Sequence, residues 1–212
     1  KLVFFKIIFV VFFSFFVNKT VLAGDCDTAI SSATTTKLVC ADNDSLTVSG
    51  SITRTNEDAP EDVAVDAGGE DGVTITITDT GTIQTITDTG TIEADDAIQG
   101  TSSLNLTVDN SGTIFAGRDW AIQLKEAENI TITNRATGTI KTTKGLSGSQ
   151  SAVGGTLMGN CSTCVGGASS TGEGLTLHNY GRIEANEEAV YGGGNATQAS
   201  KKTKIYNYDG GT

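Results

Sequence analysis

Cys161-Ser162-Thr163-Cys164 is the tightest cluster of reactive side chains in the sequence. Such a pair can serve as a disulfide, a redox couple or half of a metal site. Zinc requires four ligands. His178 is the one histidine, and the other two cysteines, Cys26 and Cys40, lie far away in the sequence. No metal is therefore expected. A redox pair would be expected beside a strand-to-helix junction, whereas Cys161 and Cys164 lie in a Gly/Ser-rich stretch. Both pairs, Cys26/Cys40 and Cys161/Cys164, are expected to be small-loop disulfides formed in an oxidising compartment.

Carboxylates are the other source of chemistry. Polysaccharide hydrolysis needs two of them at a defined separation in a cleft. Asp95-Asp96, Asp119 and Glu187-Glu188 are the candidates. All three groups fall at turns, where acidic side chains are usually solvated. A Ser-His-Asp arrangement has only His178 to draw on. Gly68-Gly69-Glu70-Asp71-Gly72 and Gly192-Gly193-Gly194-Asn195 lack the spacing of calcium-binding glycine repeats. The expectation is a chain with no catalytic residue, no cofactor and no metal.

The elements that would position these residues repeat. The phrase is an apolar-Thr-apolar run, then Asn or Asp, then Gly-x-Ile. It reads Thr76-Ile77-Thr78-Asp79-Thr80-Gly81-Thr82-Ile83 and returns at Thr85 to Ile92 with Asp88 and Gly90. Looser copies carry Asn110 with Gly112, Asn134 with Gly138, and Asn179 with Gly181. In the Asn134 copy the glycine comes two residues late. After Gly-x-Ile come x-Ala and then Ala-Ile or Ala-Val, as at Ala97-Ile98, Ala121-Ile122 and Ala189-Val190. One repeat thus holds three short apolar segments with the period of a strand that buries one face.

Repetition on this scale predicts a stack of similar units. The spacing of the phrase glycines suits a three-sided β-solenoid of six to eight coils. The glycine is expected to supply backbone angles other residues avoid. Asn or Asp beside it (Asp79 or Asp88, Asn110, Asn134, Asn179 and Asn207) is expected to stack into a ladder at one corner. Outward Thr76, Thr107, Thr131 and Thr176 could form a second column. A flat Thr array of that kind could bind ice or a crystalline surface, though irregular coil lengths argue against flatness.

Composition fits such an object. Apolar residues make up 37% of the 212-residue chain, a low fraction for a globular protein, and there is a single proline. Formal net charge is −11. Such acidity excludes general affinity for nucleic acid, whose phosphates need Lys and Arg.

Residues 1–23 read as a secretory signal peptide. Lys1 and Lys6 give the positive start, Ile7 to Val17 the apolar run, and Val21-Leu22-Ala23 the cleavage site. The run is too short to span a bilayer. Asp25 before Cys26 excludes a lipoprotein signal. Residues 24–45 are then expected to cap the stack, and 46–212 to form the repeats. The acid-rich segment 54–72 is expected to be an exposed loop, and 144–174 an inserted one.

The phrase Asn/Asp-x-Gly-x-Ile with x-Ala and Ala-Ile/Val, behind a leader and a Cys-bounded cap, resembles the passenger domains of Gram-negative bacterial autotransporters. The resemblance covers 46–212. It implies an all-β fold, a right-handed parallel β-helix, exported to the cell surface or beyond through a C-terminal outer-membrane barrel. Few, locally paired cysteines suit passage through a narrow pore. The barrel is not recognisable here, so the chain is placed as an N-terminal fragment. A non-catalytic stalk or adhesin follows, with a host-cell, matrix or polysaccharide surface as partner. Tyr180, Tyr191, Tyr206 and Tyr208 and the two loops are its candidate contacts.

Overall fold

A computed structural model describes residues 26–55, 63–86, 96–117, 119–143, 151–155, 173–192 and 203–212. Residues 1–25, Asp88, Gly90, Asp95, Cys161 and Cys164 lie outside the described residues. The secondary structure described is strand and turn throughout.

Each coil contributes three strands, one to each of three sheets. The first coil holds β1 (Thr28–Ile30), β2 (Ala33–Thr34) and β3 (Leu38–Val39). The second holds β4 (Ser45–Val48), β5 (Ser51–Thr55) and β6 (Val65–Asp66), the third β7 (Thr74–Ile77), β8 (Thr82–Ile86) and β9 (Ile98–Gln99). Next come β10 (Thr107–Asn110), β11 (Thr113–Ala116) and β12 (Ile122–Gln123), then β13 (Ile130–Asn134), β14 (Thr139–Thr142) and β15 (Val153–Gly154). The sixth coil holds β16 (Leu175–Asn179), β17 (Arg182–Glu184) and β18 (Val190–Tyr191), and β19 (Lys204–Asn207) opens a seventh.

Strand order is β1-β4-β7-β10-β13-β16-β19 in sheet A, β2-β5-β8-β11-β14-β17 in sheet B and β3-β6-β9-β12-β15-β18 in sheet C. Every pairing is parallel. The fold is a right-handed, three-sided parallel β-helix. At about 4.8 Å per coil, six steps make a rod roughly 29 Å long.

The three apolar segments of the repeat become the three sheets. The apolar-Thr-apolar run forms sheet A, where Leu46, Ile75, Val108, Ile132 and Leu177 stack inward and are fully buried. The isoleucine of Gly-x-Ile forms sheet B, in the column Ile52, Ile83, Ile114, Ile140 and Ile183. Ala-Ile/Val forms sheet C, where Leu38, Val65, Ile98, Ile122, Val153 and Val190 align. Each fully buried Val, Leu or Ile is worth about 1.5–3 kcal/mol against leaving it exposed. Because every column continues through each coil, one coil supplies the wall against which the next packs.

Three boundaries differ from the sequence expectation. The repeats begin earlier than residue 46: the first coil starts at Thr28 and is closed by the Cys26–Cys40 disulfide. The acid-rich segment 54–72 is not all loop, since Val63, Ala64, Val65 and Ala67 are buried and β6 belongs to sheet C. Within 144–174, Ser151, Ala152 and Val153 are fully buried and form the sheet C edge of the fifth coil. In both stretches, polar flanks hide a two-residue strand.

Candidate functional site

The corner between sheets A and B carries the residues of the repeat phrase. Gly81, Gly112, Gly138 and Gly181 occupy one column there, with Gly50 below and Gly211 above. None of these six glycines has a positive φ, although Gly210, beside Gly211, does at +92°. The expected reason for glycine is therefore replaced by another: close approach of coils. A Cβ on Gly112 would sit 2.2 Å from the Gly81 carbonyl oxygen, and one on Gly181 would sit 2.3 Å from that of Gly138.

The asparagines stack as a ladder. Asn110 Nδ2 donates to Asn134 Oδ1 at 2.8 Å, Asn134 Nδ2 to Asn179 Oδ1 at 2.8 Å, and Asn179 Nδ2 to Asn207 Oδ1 at 2.7 Å. Each amide nitrogen also reaches a backbone carbonyl, of Thr139 at 3.3 Å, Arg182 at 3.2 Å and Thr212 at 3.4 Å. A carbonyl can only accept, so these second contacts fix which amide atom is nitrogen. Asn110 and Asn134 are fully buried. The ladder has a definite first member, because Asn110 pairs in register with Ile77 and its Oδ1 has no donor.

Asp79 is thus not a rung; Ile77 takes that level. Asp79 lies exposed in the turn that follows. The reason is that corner length alternates. Two residues turn the corner at Ser49-Gly50, Ser111-Gly112 and Tyr180-Gly181, but four do so at Thr78–Gly81, Arg135–Gly138 and Tyr208–Gly211. Each long corner is closed by the glycine N–H donating to its first residue, Thr78, Arg135 or Tyr208, at 2.9, 2.8 and 2.8 Å. In two of the long corners an added threonine reaches back to the short corner below. Thr80 Oγ1 donates to the Ser49 carbonyl at 3.0 Å, and Thr137 Oγ1 to that of Ser111 at 2.7 Å.

Left-handed backbone appears instead between sheets C and A, at Asn43 (φ 63°), Gly72 (73°), Asn105 (53°) and Asn129 (57°).

Of the cysteines, Cys26 and Cys40 form the expected disulfide with Cα atoms 4.6 Å apart. The candidate carboxylates do not converge. Asp96 is buried and its Oδ1 accepts from the Trp120 N–H at 3.0 Å. Glu188 accepts from Ser151 Oγ at 2.9 Å, and Asp119 sits half-buried in a turn before β12. Glu187 is exposed and lines an open groove beside β17, with Lys141, Glu184 and Asn186. Both oxygens of Glu184 are engaged there, by Arg182 and by Lys141 at 3.4 Å. No group of three or more His, Cys, Asp or Glu among the described residues could hold a metal ion.

The outer face of sheet A is more distinctive. Thr76 does not align with Thr107, Thr131 and Thr176; Thr74 does. Thr76 belongs to the neighbouring column Thr47, Thr76, Asp109, Thr133, His178, Tyr206. A hydroxyl surface is therefore interrupted midway. Arg135 lies back across Asp109, with Nε and Nη2 at 2.7 and 2.6 Å from its two oxygens. That bidentate bond holds the Arg135 proton more firmly than usual.

Above that pair, the face becomes aromatic. The Tyr180 and Tyr208 rings stack with centroids 4.1 Å apart and planes at 4°, and His178 stacks on Tyr206 at 5.0 Å and 8°. His178 Nδ1 and Tyr208 Oη hydrogen bond at 2.9 Å. Desolvation, and then the Tyr180 hydroxyl, raise the Tyr208 phenol above its ordinary range. Tyr206 and Tyr208 remain 44% and 37% exposed. Lys204 adds a cation beside them, paired with Glu173 at 2.6 Å. Tyr191 is not part of this group: it lies in sheet C against Trp120, 5.7 Å between centroids. Of the four tyrosines grouped from the sequence, Tyr180, Tyr206 and Tyr208 meet here, and the membership of His178 depends on strand register.

No family model, curated protein or solved structure matches the chain. What can be said of its activity rests on this geometry.

Proposed function

We propose that the chain is a non-catalytic β-helical passenger of the autotransporter kind, exported and displayed at or beyond the cell surface, where it adheres to a host-cell, matrix or polysaccharide surface. One observation carries the adhesive reading. The outer face of sheet A changes from small hydroxyls at Thr47 and Thr76 to His178 and Tyr206, while the inward columns through Ile75 and Ile83 stay aliphatic from coil to coil. Core packing does not dictate the outer positions, so a concentrated aromatic patch with Lys204 beside it is where contact chemistry belongs. Tyrosine offers large contact area at small entropic cost. Of the carboxylates weighed as catalysts, Asp96 is engaged by the Trp120 N–H and Glu188 by the Ser151 hydroxyl.

The test is attachment of the purified protein to immobilised neutral and acidic polysaccharides and to extracellular-matrix protein. Tyr206→Ala with Tyr208→Ala should reduce attachment at least tenfold, and deletion of 156–172 should leave it unchanged. That deletion spares β15 and β16. Loss of attachment only in the deletion moves the site to the loop; no attachment by the parent protein refutes adhesion. The autotransporter reading is tested separately, by the coding DNA downstream of Thr212. It should continue into further Gly-x-Ile coils and then a set of alternating amphipathic strands.

A further inference from the structure

Three tripeptides with the pattern Asn-x-Ser/Thr fall in one place on the rod: Asn43-Asp44-Ser45, Asn105-Leu106-Thr107 and Asn129-Ile130-Thr131. Each asparagine stands at the left-handed corner between sheets C and A, and each hydroxyl residue is at or next to the start of a sheet A strand. Asn43 N–H donates to the Asp71 carbonyl, Gly72 N–H to Leu104 and Asn105 N–H to Glu128, which puts Asn43, Gly72, Asn105 and Asn129 in one column. All three asparagines are exposed.

We propose that Asn129 and Asn43 are acceptor sites for N-linked glycosylation. The pattern is the one such transfer reads, an amide with a hydroxyl two residues on. In the Asn105 and Asn129 copies the β-helix presents both groups on the same outer surface, because the residue between them points into the core: Leu106 and Ile130 are buried. Gly72 fills the same corner in the third coil, so the backbone there does not itself demand asparagine. In the transfer, the amide nitrogen bonds to C1 of a sugar activated as its diphosphate ester. The C1–O bond breaks with its electron pair on the diphosphate, and one amide proton passes to a base of a separate glycosyltransferase.

The three sites are not equivalent. Asn105 Nδ2 is held by Asp71 Oδ1 at 2.7 Å. Asn129 accepts the Glu173 N–H through Oδ1 at 3.1 Å, which leaves its Nδ2 without a hydrogen bond among the described residues. Asn105 and Asn129 stand one coil apart, about 4.8 Å, too close for two glycans. Asn43 stands three coils from Asn129, about 14 Å. Occupancy is thus assigned to Asn129 and Asn43 and not to Asn105.

The experiment is glycopeptide mass spectrometry of the protein isolated from the cells that make it. Parent peptides containing Asn129 and Asn43 should carry a sugar mass. The Asn129 increment should vanish in Asn129→Gly, which keeps the left-handed corner, and in Thr131→Val, which keeps the strand, but persist in Thr131→Ser. Thermal melts within about 2 °C of the parent would show that the two silent variants are folded. Unmodified Asn129 and Asn43, occupancy confined to Asn105, or a sugar that survives in Thr131→Val each overturns the proposal.

Discussion

Asn134 is the residue on which the ladder can be tested most sharply. Its side chain is fully buried, accepts from Asn110, and donates to both Asn179 Oδ1 and the Arg182 carbonyl. Asn134→Ala removes those bonds and leaves Asn179 Oδ1 with no donor. Each buried polar group so orphaned costs about 1–3 kcal/mol, and the vacated volume adds to that, so a loss of roughly 3–5 kcal/mol is expected. Asn134→Asp is the more informative change, because it keeps the shape. One carboxylate oxygen still accepts from Asn110, but the other now faces two acceptors. At pH 7 a buried, half-partnered charge results, with a cost of about 3–5 kcal/mol. Protonation restores a donor toward Asn179 Oδ1. The folded-state pKa of the introduced carboxyl must therefore lie above the unfolded value of about 3.9. The folded state then holds its proton longer, so the deficit is small below pH 4. It grows as pH rises toward the folded pKa and levels off above it. Urea unfolding of parent and variant at pH 4 and pH 7 measures this. An Asp variant as stable as the parent at pH 7, or a deficit independent of pH, would refute the directed ladder.

Four further outcomes follow. Gly138→Ala should cost about 3 kcal/mol or more, because its Cβ would lie 2.3 Å from Asn134 Oδ1 and 2.4 Å from the Asn110 carbonyl; thermal melting reads it. Ile77→Asn should destabilise less than Ile75→Asn, by about 1–2 kcal/mol, since only position 77 gives Asn110 Oδ1 the donor it lacks; urea midpoints compare the two. Replacing Cys26 and Cys40 by Ser should lower stability by about 3 kcal/mol in a urea melt, because the bond closes a loop with sequence separation 14 in the first coil. Glu70 has a raised pKa through desolvation, a hydrogen bond with Asp42 and the nearby Asp42, Asp44 and Asp66 charges. Its ionisation therefore costs stability as pH rises past the unfolded value, and Glu70→Gln should raise the urea midpoint slightly at pH 7 and not at pH 3.

The sheet B column was legible because Gly-x-Ile fixes the phase of the strand that follows each corner. The three-sheet stack followed from three apolar segments per repeat. Register was harder. In Thr74-Ile75-Thr76-Ile77 a slip of two residues keeps every side chain on its own face, so alternation cannot choose between Thr74 and Thr76. The choice is made by corner length, which differs between successive coils. The same alternation concealed the level of Asp79: the phrase places an acid before glycine, but the two added residues of a long corner lie between the ladder position and that glycine. Short strands were the other loss. Val65-Asp66 and Val153-Gly154 are two residues each, and nothing in a two-residue segment carries a period.

The distinction between Asn and Asp, lost when both are read as corner residues, has a physical cause. A rung in the interior of the stack must accept from the coil below and donate to the coil above. An amide does both; an ionised carboxylate only accepts. Asn110, Asn134, Asn179 and Asn207 are rungs, whereas Asp79 and Asp209 stand in the added part of long corners, where water solvates a charge. The ladder begins at Asn110 and the aromatic stack at His178 and Tyr180, so both occupy the later coils, on either side of the same sheet A strands. β16 carries a rung inward at Asn179 and a ring outward at His178. The buried amides fix the register in which the exposed rings meet. A surface that binds through those rings should therefore lose affinity when Asn179 is replaced, although Asn179 itself is buried.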